Sequence, residues 1–259
     1  MNVETITSRQ NPLMTHLRKL ASSRSYRKKS GEYLCDGTKL LDEALKWGAP
    51  VQTAVFSDGV DIPALPDTVR AVRVSEDLMR SVSPMETPQG ALFTVALPET
   101  KLPETLAGKH YLVLDGVQDP GNVGTLLRSA AAFGFDAVVL GPGCASPLSP
   151  KTLRSSMGAA GRLPTLHTED LPAALQRLRA RGVTTLATAL YRSRPLDEAG
   201  NDFPGGLCVV IGSEGQGLTE ETIRVCNGTV RIPMTDRVES LNAGIAGSIL
   251  LWHFREESL

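Results

Sequence analysis

The feature that most constrains the fold is a regular alternation of apolar, strand-like runs with helical runs in the second half of the chain. The predicted strands lie at 111–114, 137–140, 183–190, 207–211 and 229–232, and the predicted helices at 122–133, 150–160, 171–181, 219–226 and 240–254. Strands that alternate with helices of this length form βαβ crossovers. The pattern therefore predicts an α/β domain with a mainly parallel sheet.

The first half of the chain predicts a second, smaller α/β domain. Its predicted helices lie at 11–21, 38–47 and 76–83, and its predicted strands at 51–56, 71–74 and 91–97. A polar, proline-bearing stretch follows, which is typical of a linker. The predicted division is a small domain at 1–97, a linker at 98–109 and a larger domain at 110–259.

The charge of the chain is unevenly distributed, although the formal net charge is only −1. Within residues 1–30, Glu4 is the only acidic residue against seven Lys or Arg. Such asymmetry indicates an acidic partner such as a nucleic acid, and a solvated surface is the alternative. The candidate contacts are Arg24, Arg27, Lys28 and Lys29, with Tyr26 between them as a ring that could stack on a base.

Several classes of protein lack their sequence signatures here. Neither G-x-G-x-x-G nor G-x-x-x-x-G-K-[ST] occurs, which disfavours dinucleotide-binding and P-loop proteins. The G-x-S-x-G elbow of many hydrolases is also missing, which disfavours that class. The four cysteines form no C-x-x-C pair, so that no metal site is expected. No apolar run is long enough for a membrane span or a secretory leader, and we expect a cytoplasmic protein.

Three segments carry residues that packing alone does not explain. They are Asn122-Val-Gly124 with Arg128, the glycine-rich stretch 212–218 that follows an apolar run, and Ile232-Pro-Met234 with Ser240-Leu-Asn242. Each has a structural alternative. Asn122 and Ser240 suit helix N-caps, Arg128 could snorkel to the surface or form an ion pair, and Glu214 could face water in a plain turn. The small residues after Asn242 are equally consistent with packing inside the chain and with a subunit contact.

Together these segments resemble the SpoU/TrmH family of RNA ribose 2′-O-methyltransferases, within the SPOUT class. The resemblance covers 111–254, with N-x-G-x-x-x-R, G-S-E-G-x-G-L and I-P-M…S-L-N in the family order. Residues 6–57 resemble the N-terminal substrate-binding domain of the family, and 154–158 resemble an active-site loop. The resemblance implies a SPOUT-type parallel sheet with a deep C-terminal trefoil knot, S-adenosyl-L-methionine as cofactor, and a homodimer.

The resemblance also implies roles for individual residues. Arg128 would act on the ribose hydroxyl. Because arginine holds its proton too tightly to be a ready base, stabilisation of the developing alkoxide is at least as reasonable. The implied catalytic residues are Asn122, Arg128, Glu214, Ser240 and Asn242. The implied cofactor contacts are Leu190, Gly212, Ser213, Glu214, Gly217, Ile232, Met234, Ser240 and Leu241, and Arg154 joins the candidate RNA contacts.

The function that this resemblance implies is methylation of a ribose 2′-hydroxyl in structured RNA. The separate N-terminal domain favours ribosomal RNA over transfer RNA, by analogy alone. A tRNA methyltransferase, or a catalytically silent RNA-binding or ribosome-assembly factor with the same fold, are the alternatives. A nicotinamide-dependent oxidoreductase is disfavoured, since its glycine fingerprint is missing.

Overall fold

The computed structural model describes residues 3–105 and 107–255, which divide into two compact units. The first unit comprises Met1–Pro98 with Leu148–Gly161, and the second comprises Glu99–Pro147 with Arg162–Leu259. The elements up to residue 98 are β1 (Val3–Ile6), α1 (Pro12–Ser22), α2 (Arg24–Ser30), β2 (Glu32–Asp36), α3 (Thr38–Lys46), β3 (Val51–Ser57), β4 (Arg70–Val74), α4 (Glu76–Val82) and β5 (Ala91–Ala96).

The remaining elements follow in chain order. They are β6 (His110–Asp115), α5 (Pro120–Ala132), β7 (Ala137–Leu140), α6 (Pro150–Ser156), a 3-10 turn (Ala159–Gly161), β8 (Thr165–His167), α7 (Leu171–Ala180), β9 (Thr184–Thr188), β10 (Arg194–Pro195), a 3-10 turn (Leu196–Glu198), β11 (Leu207–Gly212), α8 (Glu220–Val225), β12 (Gly228–Arg231) and α9 (Ala243–His253).

The first unit is built on a five-stranded mixed sheet in the order β1-β4-β3-β5-β2. Strands β1 and β3 run parallel to β4, whereas β5 is antiparallel to both β3 and β2. Helix α1 covers this sheet with the leucine stripe that its spacing predicts, and Leu13, Leu17 and Leu20 are buried. The predicted helices and strands of this half are all present. The sequence did not indicate β1, α2 or β2.

Helix α6 belongs to the first unit, although its sequence lies within the predicted larger domain. It packs against β2, and Gly161, in the 3-10 turn that follows, lies close to the hydroxyl of Tyr33. Helical spacing predicts α6 correctly but not its packing partner, because that partner lies more than a hundred residues earlier in the chain.

The second unit contains a seven-stranded sheet in the order β10-β12-β9-β11-β6-β7-β8, with every pairing parallel. The five strands predicted in this half are present, and β8 and β10 extend the sheet at its edges. Part of the predicted linker also joins the sheet, since His167 exchanges backbone hydrogen bonds with Thr100 and Leu102. Leu106, within the same stretch, lies outside the described residues.

Helix α9 packs against α5 inside the second unit, and small residues make the close approach possible. A Cβ on Gly247 would overlap the side chain of Leu126, and the hydroxyls of Ser248 and Ser129 lie 2.7 Å apart. These small residues therefore serve packing within the chain. The helix begins at Ala243 rather than at residue 240, because Asn242 is its N-cap.

Candidate active site

A cavity of about 560 Å³ lies at the carboxyl ends of three neighbouring strands of the second unit. It is lined by the loops that follow β9, β11 and β12, together with residues of α9. Ligands of open parallel sheets bind outside the carboxyl ends of the strands, and the volume suits a small-molecule ligand. Each of these three loops contains residues that were predicted as cofactor contacts.

The loop after β11 has a tightly closed backbone. Ser213 and Gly217 exchange two backbone hydrogen bonds of 3.0 Å, and the hydroxyl of Ser213 accepts a hydrogen bond from the backbone N–H of Gln216. A Cβ on Gly212 would collide with the backbone of Gly217 and Leu218, so that only glycine fits there. The predicted glycine-rich loop thus presents its backbone to the cavity.

Most of the predicted cofactor contacts do line this cavity. Those that do are Leu190, Gly212, Glu214, Gly217, Ile232, Met234, Ser240 and Leu241. Ser213 does not, because its hydroxyl closes the loop instead. The sequence prediction missed Tyr191 and Gln216, which also line the cavity. The residue before Tyr191 was predicted, whereas Arg231, Glu239 and the lining residues of α9 carried no motif signal.

A polar cluster joins three segments that are far apart in the sequence. The side-chain amide of Asn122 donates to Glu214 Oε1 over 2.7 Å, and the amide of Asn242 donates to Asn122 Oδ1 over 2.9 Å. The backbone N–H groups of Gln118 and Asp119 point at the same carboxylate, at 3.3 and 3.4 Å. Three of the five predicted catalytic residues therefore form one continuous network.

The Glu214 carboxylate is held in its ionised form. Burial raises its pKa, but the hydrogen bonds from Asn122 and from backbone N–H groups together lower it by more. The net pKa therefore lies below the ordinary value. Acting only as an acceptor, the carboxylate fixes which way the Asn122 amide points. Glu214 is exposed, but its carboxylate orients Asn122 and so does more than occupy a plain turn.

The structural alternative of a helix cap applies neither to Asn122 nor to Ser240. Asp119 caps α5 by accepting from the backbone N–H of Asn122, and the Asp119-Pro120 pair was the sequence signal for that cap. Asn122 therefore lies inside the first turn with its side chain available to the cluster. Asn242 rather than Ser240 caps α9, accepting from the backbone N–H of Ile245. Ser240 is exposed and lines the cavity.

Arg128 is exposed on α5, six residues after Asn122. Within the described residues its guanidinium forms no ion pair or hydrogen bond, so the alternative of an ion-paired arginine does not apply. Its five donors are available to a ligand. The structure does not bring Arg128 into the hydrogen-bonded network of Asn122.

The basic cluster of α2 is divided between the surface and the core. Arg24, Lys28 and Lys29 are exposed, but Arg27 is buried and donates to the backbone carbonyl of Leu20 over 2.7 Å. Burial, together with the nearby charge of Arg24, lowers the pKa of Arg27. The prediction that Arg27 contacts RNA is therefore wrong, because its guanidinium serves the C-terminal end of α1.

Two further predicted RNA contacts have partners within the first unit. Tyr26 is half-buried, its hydroxyl lies 3.0 Å from Nδ1 of His16, and Lys19 lies over its ring. Tyr26 is thus not available for base stacking. Arg154 is exposed, with one guanidinium nitrogen 3.6 Å from the sulfur of Met85.

Residues 3–105 and 107–255 contain no helix of the length and apolarity that a membrane span needs. In the same described part of the chain, His, Cys, Asp and Glu form no group of three or more that could hold a metal ion. Three of the four free cysteines are buried.

Comparison with known proteins assigns both halves of the chain to described families. Residues 109–252 match the SpoU rRNA Methylase family, and residues 11–92 match the MRM3-like substrate binding domain. The chain is 34% identical to the 23S rRNA (guanosine(2553)-2′-O)-methyltransferase RlmP of Bacillus subtilis, covering 96% of this chain and 98% of that protein.

Two further similarities extend over nearly the whole length. An uncharacterised tRNA/rRNA methyltransferase of Synechocystis is 34% identical, over 99% of this chain and 95% of the relative. The structure of an AdoMet-bound rRNA methyltransferase from Sinorhizobium meliloti superimposes with a TM-score of 0.87 at 28% identity, covering 99% of both chains. The α/β fold with its parallel sheet is thus that of the SPOUT methyltransferases, and the chain belongs to the SpoU rRNA methylase family.

Proposed function

We propose that this protein methylates the 2′-hydroxyl of a ribose in ribosomal RNA and takes the methyl group from S-adenosylmethionine. The observation that carries the proposal is the network of Asn122, Glu214 and Asn242 beside the cavity. Each of the three belongs to a different family motif. The similarity to a 23S rRNA 2′-O-methyltransferase over almost the full length of both chains supports the substrate class.

The cavity suits S-adenosylmethionine. Apolar side chains such as Ile211 and Leu250 line it together with the glycine backbone of the 212–217 loop, a combination that accommodates a ring and offers hydrogen-bonding groups to polar substituents. When bound, the cofactor supplies an electrophilic methyl group on a sulfonium. Leu190, Ile232 and Leu241 would hold it from the neighbouring loops.

The side chains around the cavity would position the hydroxyl and manage its charge. Glu214 fixes the Asn122 amide, and Asn242 restrains the same amide from the other side. Arg128, whose guanidinium has no partner among the described residues, would stabilise the alkoxide as it forms. Ser240, exposed at the cavity, would orient a polar group of either ligand.

The experiment that tests this proposal is methyl transfer from labelled S-adenosylmethionine to an unmodified 23S rRNA transcript. Arg128→Ala should abolish transfer and leave cofactor affinity nearly unchanged, because Arg128 acts on the hydroxyl. Arg128→Lys should fail as well, since a point charge does not replace a planar fork. An exposed arginine on another helix, Arg177, provides the matched control. Near-normal turnover of Arg128→Lys would contradict the role of Arg128.

The proposal includes the division of labour between the domains. The first unit (Met1–Pro98 with Leu148–Gly161) would bind RNA and the second (Glu99–Pro147 with Arg162–Leu259) would hold the catalytic site, in place of the predicted division at 1–97, 98–109 and 110–259. The exposed Arg24, Lys28 and Lys29 on α2 support this proposal, because clustered cations meet RNA phosphates. The reduced cysteines are consistent with a cytoplasmic location.

We also propose a homodimer and a C-terminal knot. Helix α9 buries one face on α5 and exposes Ile245, Ile249 and Trp252 along the other, a spacing that makes one apolar stripe. A second copy would cover that stripe. Membership of the SpoU family supports the knot, and β12 with α9 would be the threaded segment.

A further inference from the structure

The loop that follows β9 carries an unusually exposed aromatic ring beside the cavity. Tyr191 is 85% exposed, more than any other large hydrophobic side chain in the part of the chain that the structure describes. It also contributes to the lining of the cavity, in the loop after β9. A ring exposed to this extent next to a ligand site is a candidate contact for a second ligand.

This loop is fixed by hydrogen bonds. The backbone N–H of Ala189 donates to Val230, the hydroxyl of Ser193 donates to the Ala189 carbonyl over 2.7 Å, and the hydroxyl of Thr229 donates to the Arg192 carbonyl over 2.8 Å. These contacts hold the backbone on both sides of Tyr191.

The backbone at Arg192 has a conformation that arginine rarely adopts. Its φ is +53°, in the left-handed region, and the hydrogen bond from Thr229 holds the Arg192 carbonyl in place. Strained backbone persists only where the surroundings impose it, and it is frequent at ligand-binding sites. The exposure of Tyr191 is thus imposed by this constrained loop.

Two arginines follow Tyr191 in the chain, at positions 192 and 194. The guanidinium groups of Arg192 and Arg194 are exposed, and across the described residues neither forms an ion pair with a carboxylate. An exposed ring followed in the same short loop by two exposed arginines matches the chemistry of a single-stranded nucleic acid, in which stacking bases alternate with phosphates.

We propose that Tyr191, Arg192 and Arg194 bind a nucleotide of single-stranded RNA next to the target ribose. The ring of Tyr191 stacks on the base, and the two arginines neutralise the adjoining phosphates. This inference rests on the proposed function, because the cavity beside the loop holds the methyl donor. It assigns the second unit its own RNA contact, separate from the basic surface of α2.

The test measures binding of the full chain to a fluorescein-labelled, mixed-sequence RNA of about 12 nucleotides, within the usual site size of single-strand binders. Tyr191→Ala should weaken binding roughly 5- to 150-fold, the range expected for loss of one base–aromatic stack. Tyr191→Phe keeps the ring and should bind nearly as the wild type does. Arg192→Ala/Arg194→Ala should flatten the slope of log affinity against log salt by about 1.4, at roughly 0.7 for each phosphate contact on a single strand.

The matched control is Arg177→Ala/Arg224→Ala, which removes two exposed arginines from α7 and α8. S-adenosylmethionine affinity, measured by calorimetry, should be unchanged in Arg192→Ala/Arg194→Ala and in the control. The RNA titrations of the Tyr191 variants are made without cofactor, because Tyr191 lines the cavity. Wild-type RNA affinity in Tyr191→Ala, or a salt slope that changes equally in the control, would overturn the proposal.

The same samples separate this inference from the proposed function. If the wild type binds the oligonucleotide through Tyr191 but transfers no methyl group to the 23S rRNA transcript, the proposed function fails and the nucleotide contact stands. If the transcript is methylated and Tyr191→Ala binds RNA normally, only the nucleotide contact fails.

Discussion

At the scale of single residues, the site depends on one amide with both of its polar ends bonded. Asn122 donates to Glu214 and accepts from Asn242, so that its orientation is fixed from two directions. The sequence indicated all three residues but not their connection. Hydrogen bonds between positions about a hundred residues apart follow from tertiary structure rather than from local pattern.

Asn122→Ala should raise the pKa of Glu214 toward its ordinary value, because the strongest hydrogen bond to the carboxylate is removed. Because the pKa of Glu214 is lower in the folded than in the unfolded state, its ionised form stabilises the fold at pH values above the ordinary carboxyl pKa. That contribution is lost as the pH falls through the lowered pKa of the folded state. Carboxyl NMR titration measures the change. Ser129→Ala, on the same helix but bonded to Ser248, is the control and should leave the Glu214 titration unaltered.

Gly212→Ala should abolish cofactor binding and lower the melting temperature, because its Cβ has no room beside the backbone of Gly217. Gly215→Ala in the same loop is the matched control, since a Cβ there meets no atom within 4 Å. Thermal shift with S-adenosylmethionine measures both effects. Equal shifts in the two variants would show that the loop tolerates a side chain at residue 212.

At the scale of elements, α2 combines an exposed basic surface with a structural arginine. Composition suggested four equivalent cations, whereas the helix directs Arg27 inward to a carbonyl of the last turn of α1. Such terminal carbonyls have no partner within their own helix. Sequence alone could not distinguish the four, because α2 itself was not indicated by any apolar periodicity.

Arg24→Ala/Lys28→Ala/Lys29→Ala should weaken binding to the 23S rRNA transcript and flatten the salt slope by about 2, at roughly 0.7–0.9 for each phosphate contact. Arg27→Ala should leave the slope unchanged and lower the free energy of unfolding by about 1–3 kcal/mol, because the buried Leu20 carbonyl loses its donor. Salt-dependent binding and urea denaturation measure the two effects. An unchanged salt slope in the triple variant, or a flattened slope in Arg27→Ala, would contradict these roles.

The sequence predicted the strands and helices of the second unit well, because alternating apolar periods are local. It placed the start of α9 at 240, since serine and asparagine are both good caps. The bond from Asn242 to Asn122 favours the later position. The position of the α9 cap therefore depends on a contact with α5, which the local sequence around residue 240 does not indicate.

At the scale of the whole molecule, the exposed stripe of α9 predicts the state of association. Ile245→Lys/Ile249→Lys should convert a dimer into a folded monomer, because both side chains are already exposed in the single chain. Sedimentation velocity measures the mass, and circular dichroism confirms the fold. Trp47→Lys is the control, as an exposed apolar residue of the first unit. A wild type that sediments as a monomer would contradict the homodimer.

The two sequence segments of the first unit are separated by residues 99–147 of the second unit, which affects synthesis and proteolysis of the chain. Its last element, α6 with the following turn, leaves the ribosome only after β6, α5 and β7 of the other unit have been made. At roughly 5–20 residues per second, the N-terminal sheet therefore waits several seconds for the helix that covers β2. The folding of the two units is interleaved in time. No single proteolytic cut, wherever it falls, releases either unit whole.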